Sequence, residues 1–471
     1  MKTILVIVTL LASLGGSRCF AADGPAQPER LLIGGRVVTP DGILPHGWLE
    51  LEKGKIIRMY AEKPALDGVR ALATDDYIFP GFIDLHDHPM YNIFPRWTPP
   101  AKFPNRYVWR DSEEYKRLIE RPADKIIYGG GNFCDIDEYV EIKALIGGTT
   151  SIIGISDARP ATATQPAAAT PDCVKGLVRN LDSYTGFYGA ATDHERIVNS
   201  IGILPRDMNS AVAAENAQGI RNGSIDLLAI HIAEGLPTDP ESQSELDALA
   251  AHHLLTSHTV LIHSVGLSPS QFMRVHQANA AIVWSPRSNF ELYGATANVD
   301  AAFRDGVSIA LAPDWSPTGS DNMLDEVKYA ANVSRTRLDG LFSHHELVEM
   351  ASGVPARIAR INDKVGTIAA GQYADFFLLK AKPMGDAYDA LANSTVDDVE
   401  MVFVNGVALY GTPQKMRAMG VPLETIKVCG NDRALNSAEL KAGSFAEVSA
   451  RLSAKMKEAG TSLAPIADCV R

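Results

Sequence analysis

The sequence predicts an α/β protein in which a (β/α)8 TIM barrel is combined with a small β-sandwich domain built from the two segments that flank it. Apolar strand-like runs alternate with helical segments between residues 149 and 315, a pattern typical of a parallel sheet. Short β-rich segments punctuated by glycine and proline lie on both sides of that region. The length of 471 residues exceeds the size of about 250–300 residues at which one core stops growing.

The chain begins with a segment typical of a secretory signal peptide. Lys2 precedes an apolar run over residues 4–14, and Ala21 and Ala22 provide a small-residue cleavage site. The run is shorter than the roughly 20 apolar residues that a membrane-spanning helix requires. We therefore expect residues 1–22 to be removed and the mature protein to be exported, periplasmic or secreted, without a membrane span.

Residues 23–80 and 361–412 are predicted to form the two parts of the β-sandwich. The first part contains the strand-like sequences LLIGGRVVT and WLELEKGKIIRMY, and the second contains VEMVFVNGVALYG. In the second part, Asn405 and Gly406 separate two apolar runs, which predicts a two-residue hairpin. Residues 413–471 are assigned to a C-terminal extension.

Residues 81–360 are predicted to form the barrel domain. FIDLH is its first strand, and the other candidates are residues 149–156, 178–183, 195–203, 225–235, 259–267, 281–289 and 307–315. In a (β/α)8 barrel the active site lies at the carboxyl ends of the strands. The connection Pro89–Gly147 is rich in aromatic residues. It is predicted to be either a substrate wall or lid above the barrel mouth, or a packed loop with its own small core.

Composition narrows the function classes. Hydrophobic residues make up 46% of the chain and charged residues 21%, as in an ordinary globular protein. The formal net charge is −12, and an acidic chain repels phosphate backbones. Nucleic acid is therefore excluded as a partner, and a small-molecule substrate is expected. A homo-oligomer is compatible with the sequence.

Four cysteines follow the predicted signal segment. An even number in an exported protein permits two disulfides. We favour Cys134–Cys173 and Cys429–Cys469, because each pair lies within one region of the chain. The alternative is four unpaired buried thiols.

Residues able to bind a metal ion stand at the ends of predicted strands. His86 and His88 end the first strand, where alternate residues point the same way. His231, His263 and Asp314 stand where strands five, six and eight should end. Histidines with a carboxylate form a donor set that zinc favours, with an open position for water. The pattern therefore predicts a metal centre at the barrel mouth.

A carboxylate for proton transfer is predicted beside this centre. Glu234 follows His231 by three residues, so its side chain can reach a metal-activated water or a substrate nitrogen. The alternative is a surface glutamate in a turn.

The order of these motifs resembles the amidohydrolase superfamily. His-x-His follows strand one, His-x-x-Glu lies at strand five, a histidine at strand six and an aspartate at strand eight. Pro-Gly-Phe-Ile-Asp-Leu-His before the barrel and Val-Gly-Thr-Ile-Ala-Ala-Gly-Gln-Tyr-Ala-Asp-Phe after it extend the likeness to about residues 30–410. The pattern is similar to the branch that includes the cytosine, guanine and S-adenosylhomocysteine deaminases and the triazine hydrolases.

The resemblance implies one divalent metal ion per chain, zinc first, with Fe2+, Mn2+ or Ni2+ as alternatives. The implied metal ligands are His86, His88, His231 and Asp314. His263 would contact the activated water or the substrate oxygen, and Glu234 would pass a proton to the leaving nitrogen. Asp314 would also accept a proton from the attacking water.

The sequence departs from the family pattern at three positions. Dinuclear relatives carry a strand-four lysine, but Lys175, ahead of the strand-three candidate, is the only lysine between Gly154 and Ser320, which favours one metal ion. Ser285 occupies the position of the deaminase cysteine in WSPRSN. Arg287 in the same stretch is predicted to meet either a substrate carboxylate or a surface acid.

The predicted function is hydrolysis of a non-peptide C–N bond in an amide, urea, amidine or amino-heterocycle by an exported metal-dependent amidohydrolase through a metal-activated water. The substrate-binding candidates are Trp97, Arg287, Asn289 and Tyr293. One alternative is a dinuclear peptidase or lactonase of the same fold. The other is a binding protein that retains the barrel without catalysis.

Overall fold

In the computed structural model the described residues are 30–155, 173, 176–182, 198–201, 205, 208–382 and 385–469. They form three sheets surrounded by helices, which confirms the predicted α/β class. The predicted signal segment, residues 1–22, lies outside the described residues. In the part of the chain that is described, no helix is both long and apolar enough to cross a lipid bilayer.

The flanking segments share one nine-stranded sheet. Its strands are β1 (Arg30–Thr39), β2 (Gly42–Glu52), β3 (Lys55–Tyr60), β4 (Arg70–Pro80), β13 (Phe376–Leu379), β14 (Val399–Val404), β15 (Val407–Gly411), β16 (Leu423–Val428) and β17 (Asn431–Asn436). The strand order is β16-β17-β15-β14-β13-β4-β1-β2-β3. The two segments meet where β4 pairs antiparallel with β13, with Phe79 opposite Phe377.

Two tight turns shape the C-terminal half of this sheet. Asn405 and Gly406, with φ of 51° and 71°, connect β14 to β15, which confirms the predicted hairpin. Cys429 and Gly430, with φ of 49° and 84°, connect β16 to β17 in the same way. The β16–β17 hairpin was not predicted, because its strands carry few apolar residues and Cys-Gly is a weak turn signal.

Eight further strands form two parallel sheets. The first contains β5 (Phe82–Asp84), β6 (Thr149–Ile152) and β7 (Arg179–Asn180), and the second contains β8 (Val198–Ile201), β9 (Leu227–Ile232), β10 (Thr259–His263), β11 (Ala281–Trp284) and β12 (Ser308–Leu311). Each of the eight predicted barrel-strand segments contains one of these strands. An isolated parallel bridge between Asp87 and Asp314 joins the loops that follow β5 and β12. The carboxyl ends of the first and last strands are therefore neighbours.

Helices follow most of the parallel strands and fill the long connection after β5. They are α1 (Arg106–Asp111), α2 (Glu113–Tyr115), α3 (Arg121–Ile126), α4 (Phe133–Ile146), α5 (Ser210–Asn222), α6 (Pro240–Ala251), α7 (Pro269–Gln277), α8 (Pro286–Tyr293), α9 (Val299–Arg304), α10 (Met323–Arg337), α11 (His344–Glu349), α12 (Gly353–Ile358), α13 (Ala387–Ala392), α14 (Pro413–Met419) and α15 (Phe445–Glu458). Several of these helices begin at proline. The backbone amide at the first helical position has no acceptor within the helix, so the amide hydrogen that proline lacks is not missed there.

The strand-seven segment is shorter than predicted. β11 ends at Trp284, and Pro286 begins α8. Arg287 and Asn289 therefore lie on the first turn of a helix instead of at the end of a strand.

Both favoured disulfides are present. Cys134 is bonded to Cys173 and Cys429 to Cys469, so the alternative of four unpaired thiols is wrong. Cys469 ties the C-terminal segment to the turn between β16 and β17. The same segment contacts the loop after β5, where the amide of Ala464 donates to the carbonyl oxygen of Ile93 at 2.8 Å.

A buried ion pair connects the three-stranded sheet with the nine-stranded sheet. The Arg179 guanidinium, 0% exposed, donates to the Asp375 carboxylate, 1% exposed, from Nε at 3.1 Å and from Nη2 at 2.9 Å.

Removing one partner of a buried pair leaves an uncompensated charge. We expect Asp375→Ala to lower the free energy of unfolding by about 3–5 kcal/mol, measured by urea denaturation. The matched control is Asp363→Ala at an exposed position; equal stability of the two variants would contradict the expectation.

Candidate active site

Four side chains from three strand ends converge at one point. His86 and His88 follow β5, His231 lies on β9, and Asp314 follows β12. Nε2 of His231 lies 3.2 Å from Nε2 of His86 and 3.3 Å from Nε2 of His88. Oδ1 of Asp314 lies 3.3 Å from Nε2 of His86 and 3.7 Å from Nε2 of His88. The structure thus brings the four predicted metal ligands together.

The spacing of these four atoms fits a divalent ion. Ligand atoms held tetrahedrally at about 2.1 Å from a zinc ion lie about 3.4 Å apart, close to the four separations that join His86 and His88 to His231 and Asp314. Burial, with smaller contributions from Arg106 and the neighbouring histidines, holds the pKa values of His86 and His231 well below the usual range. The imidazoles are therefore neutral, the state that metal binding requires.

Oδ2 of Asp314, the oxygen that does not face the histidines, accepts a hydrogen bond from a hydroxyl group. Burial, followed by the charge of Glu234, raises the pKa of Asp314, and the hydrogen bond from Ser288 opposes this rise. The Ser288 hydroxyl donates to Oδ2 of Asp314 and also lies 3.1 Å from the Thr318 hydroxyl. Oδ1 of Asp314 remains directed at the histidines. A bound cation would favour the ionised carboxylate.

Glu234 lies two residues beyond β9, and each of its carboxylate oxygens accepts a hydrogen bond. Its Oε1 accepts from the Tyr293 hydroxyl at 2.7 Å, and its Oε2 accepts from Nη1 of Arg106 at 3.1 Å. Burial alone raises the pKa of Glu234. His263, Arg106 and the Tyr293 hydroxyl together outweigh burial and hold the pKa below its usual value. Glu234 is therefore a carboxylate, ready to accept a proton.

His263, the last residue of β10, faces Glu234. Its Nε2 lies 3.7 Å from Oε1 of Glu234, and its Nδ1 lies 3.0 Å from Oδ1 of Asn289. The Asn289 amide nitrogen donates to Thr296, so Oδ1 of Asn289 accepts from Nδ1–H of His263. This assignment leaves Nε2 of His263 free on the side of Glu234.

Left-handed backbone directs several of these side chains. Ala233, His263, Ser264 and Asp314 have φ of 48°, 67°, 55° and 73°. Positive φ is costly for residues other than glycine and is concentrated at functional sites. Each of these residues ends or closely follows a parallel strand, and at His263 and Asp314 the side chain contacts the other residues of the site.

The four predicted substrate-binding residues lie in three different surroundings. Asn289 and Tyr293 are at the site, but their contacts are with His263 and Glu234, which they position. Trp97 is buried among Phe103, Trp109 and Tyr115 and belongs to a packed aromatic cluster. The Arg287 guanidinium lies 5.8 Å from the Tyr329 ring on α10, so the structure does not bring it into the cluster of histidines.

The long connection after β5 forms a packed loop with its own core, which is one of the two predicted alternatives. Its Trp97, Trp109 and Tyr115 are buried in a core that α15 helps to form. Tyr91 at its start and Trp315 after β12 instead stand beside His88, each with its ring centroid 6.3 Å from the imidazole. The His88 side chain is 36% exposed. The centre therefore opens to solvent beside these two rings.

A buried network supports the loop that carries His86 and His88. Asp87 accepts from the Asn92 amide at 3.1 and 3.0 Å. The side-chain oxygen of Asn92 accepts from the amide of Ser316 at 2.7 Å, and its carbonyl oxygen accepts from Lys143 at 3.3 Å. Lys143 also pairs with Asp321 at 3.1 Å. These contacts tie the loop after β5 to the loop that carries Asp314.

Sequence reasoning missed two residues at the centre. Arg106 lies on α1 within the irregular connection, and no catalytic motif includes it. Ser288 lies in the WSPRSN stretch that the resemblance singled out, but its contact with Asp314 depends on α8 starting at Pro286. Asn105, which caps α1 by accepting from the amide of Val108 at 3.1 Å, is the one sequence signal that places Arg106 at a helix start.

Comparisons with known proteins agree with this geometry. Residues 224–409 match the model of the amidohydrolase family. A 5-methylthioadenosine/S-adenosylhomocysteine deaminase of Caldanaerobacter subterraneus is 24% identical over 359 residues, which cover 70% of this chain and 81% of that protein. A probable guanine deaminase of Schizosaccharomyces pombe is 23% identical over 348 residues, which cover 66% of this chain and 64% of that protein, just under two thirds.

A solved structure has the same fold. The crystal structure of the atrazine chlorohydrolase of Arthrobacter aurescens TC1 complexed with zinc aligns with a TM-score of 0.66 at 16% identity. The alignment covers 90% of this chain and 99% of that chain. At this identity the likeness concerns the fold alone.

Proposed function

We propose that this chain, whose residues 224–409 match the amidohydrolase family model, is a metal-dependent hydrolase of C–N bonds other than peptide bonds. The observation that carries the proposal is the approach of four ligand atoms: Nε2 of His86 and Nε2 of His88 each lie 3.2–3.7 Å from Nε2 of His231 and from Oδ1 of Asp314, with Glu234 and His263 alongside. His86, His88, His231 and Asp314 would hold the ion. The relatives named as deaminases support an amino-heterocycle as the substrate class.

The residues beside the cluster provide the proton transfers that such a hydrolysis needs. A divalent ion held by His86, His88, His231 and Asp314 would lower the pKa of a water ligand to about 7 and polarise the bond to be cleaved. Glu234, held as a carboxylate by Arg106 and Tyr293, accepts a proton and passes it to the leaving nitrogen. Nε2 of His263 would contact the activated water or the substrate oxygen, and Asn289 fixes the orientation of the His263 ring. Asp314 accepts the second proton of the attacking water.

The closure of the barrel, the β-sandwich and the export of the protein are part of the same proposal. We place β5–β12 in a closed (β/α)8 barrel, supported by the bridge between Asp87 and Asp314, with the flanking segments as a β-sandwich. We also propose that residues 1–22 direct export. Two disulfides support export, because disulfides persist in oxidising compartments.

The test is a substrate panel on zinc-loaded protein. Amino-purines, amino-pyrimidines, amino-triazines, amides and ureas are incubated with the enzyme, and ammonia and new carboxylate are measured separately. We expect ammonia without carboxylate from amino-heterocycles, since deamination of a ring carbon leaves a carbonyl group. Carboxylate release would assign an amidase instead, and absence of both products across the panel would contradict the proposed function.

Metal content is measured on the same samples. We expect about one zinc ion per chain, because the centre supplies four ligand atoms for one ion. Removal of the ion by a chelator should abolish turnover, and added zinc should restore it. Two ions per active chain would favour the dinuclear alternative, and full activity without metal would contradict the mechanism.

A further inference from the structure

The backbone turn that carries Glu234 is held by a buried carboxylate on the helix that follows. β9 ends at Ile232, and Ala233 adopts φ of 48° immediately before Glu234. The amide of Ala233, the first beyond the strand, donates to Oε2 of Glu245 on α6 at 2.5 Å. The carbonyl oxygen of Ala233 accepts from the amide of Gly266 at 2.8 Å. Both backbone polar groups of Ala233 therefore have partners on neighbouring elements.

The same carboxylate also holds α1, which contacts Glu234 from another side. Oε1 of Glu245 accepts from the Tyr107 hydroxyl on α1 at 3.0 Å. Arg106, the residue before Tyr107, donates its backbone amide to the carbonyl oxygen of Glu234 at 2.9 Å. Glu245 thus connects three elements: α6, the end of β9 and α1.

The turn after β9 is closely packed between α6 and the segment before α1. The amide of Leu236 donates to the carbonyl oxygen of Pro104 at 2.7 Å. A Cβ atom added at Gly235 would lie 2.7 Å from the same carbonyl oxygen and would also overlap the Ser242 hydroxyl on α6. The position of this turn therefore depends on the elements on both sides of it.

The surroundings of Glu245 distinguish it from a residue that only anchors α6. Its side chain is 2% exposed and forms no ion pair in the part of the chain that the structure describes. A buried carboxylate is costly unless it accepts hydrogen bonds. Leu246 and Leu249 of the same helix, both 0% exposed, already provide an apolar anchor. The two donors that Glu245 accepts from account for the carboxylate, and one of them belongs to the turn that carries Glu234.

We propose that Glu245 is a positioning residue for the proposed hydrolysis and acts through Glu234. Together with Tyr107 it fixes the turn over residues 233–236. This keeps Oε1 of Glu234 at 3.7 Å from Nε2 of His263, beside the metal-binding cluster. The inference rests on the proposed function for the identity of the reaction, whereas the hold on the turn is defined by its own hydrogen bonds. Misplacement of a reacting group by about 1 Å can lower a rate about 10²-fold.

The test combines amide hydrogen exchange, followed by mass spectrometry, with steady-state kinetics on zinc-loaded full-length protein. Glu245→Leu removes both acceptor oxygens at similar side-chain size. We expect faster exchange confined to peptides that cover residues 103–107 and 233–236. We also expect kcat to fall about 10–100-fold, while KM and zinc content stay unchanged, because the turn places Glu234 and not the ion or the substrate.

A conservative variant and a matched control make this result specific. Glu245→Gln keeps an oxygen that can accept from Ala233 and an amide that can donate to the Tyr107 hydroxyl. It should therefore restore the parental exchange and most of the parental kcat. Glu241→Leu, at an exposed position on the same helix, should match the parent in every measurement.

A double variant shows whether Glu245 acts through Glu234. In Glu234→Gln the residue to be positioned can no longer transfer a proton, so Glu245→Leu should lower kcat by no more than about twofold further. Equal losses with and without Glu234→Gln would overturn the proposal, since the effect would then come from the fold as a whole. Loss of zinc from Glu245→Leu would contradict it as well, because the turn would then serve His231.

The outcomes separate the positioning role from the reaction. Parental exchange or parental kcat in Glu245→Leu would overturn the proposal. If Glu245→Leu fails to fold, Tyr107→Phe replaces it in each comparison, and we expect a severalfold loss of kcat that disappears in the presence of Glu234→Gln. A protein that hydrolyses nothing in the substrate panel would contradict the proposed function, and the exchange measurement would still decide whether Glu245 holds the turn.

Discussion

Asp314→Ala is expected to lower kcat/KM by at least about a thousandfold, because a bound ion contributes several kcal/mol to the transition state. The substitution removes the only carboxylate among the four ligand atoms and also the acceptor of the second water proton. It should therefore reduce bound zinc and turnover together. Metal content and initial rates of the purified variant are the measurements.

The fold should survive this substitution. Asp314 is buried, and burial raises its pKa, so its removal takes a poorly solvated carboxyl group out of the interior. Thermal unfolding of the metal-free variant should therefore match that of the metal-free parent. Asp305→Ala, at the end of α9 and outside the centre, is the matched control for zinc content and rate. Full activity in Asp314→Ala would remove Asp314 from the metal site.

Glu234→Gln should lower kcat by about 10²–10⁴-fold, the usual contribution of general acid–base catalysis, while zinc stays bound. Glutamine keeps the size of the side chain and most of its hydrogen bonds but cannot carry a proton between water and the leaving nitrogen. The difference between this variant and Asp314→Ala is the retained metal. Zinc analysis alongside rate measurements distinguishes the two.

Two further measurements make the Glu234 result specific. Glu241→Gln, an exposed residue on the first turn of α6, should keep the parental rate. Loss of zinc from Glu234→Gln would make Glu234 a ligand, as its position within 4.8 Å of His231 and His263 ligand atoms permits, and would contradict the assigned role. Some loss of stability is expected, because Arg106 keeps its charge in a largely buried place without its counterion.

The sequence was informative where strand ends determine position. His231, His263 and Asp314 each follow an apolar run typical of an inner strand, and parallel strands bring their carboxyl ends to one side of the sheet. Their approach to His86 and His88 follows from this rule without any tertiary detail. The hairpin at Asn405–Gly406 was equally predictable, because both residues must adopt positive φ.

The sequence did not predict the direction of a side chain where that direction depends on whether the residue ends a strand or belongs to the helix that follows. Arg287 and Asn289 are two residues apart and would share a face if they ended a strand. In α8 they are separated by about 200° around the helix axis. Asn289 therefore contacts His263, whereas Arg287 points towards α10. Arg106 was missed for another reason: its place is set by the docking of α1 on the end of β9, which local pattern does not encode.

The left-handed residues at the strand ends limit which substitutions can stabilise this protein without loss of activity. A non-glycine residue in that conformation costs of order 1–3 kcal/mol. Ala233, His263, Ser264 and Asp314 all carry this cost. Glycine would remove this cost at each position and raise the free energy of unfolding. At His263 and Asp314, however, glycine would also remove a side chain that the proposed reaction needs. Selection for thermal robustness and selection for turnover therefore oppose each other at these two residues, and stabilising substitutions compatible with activity are to be sought at Ala233 and Ser264.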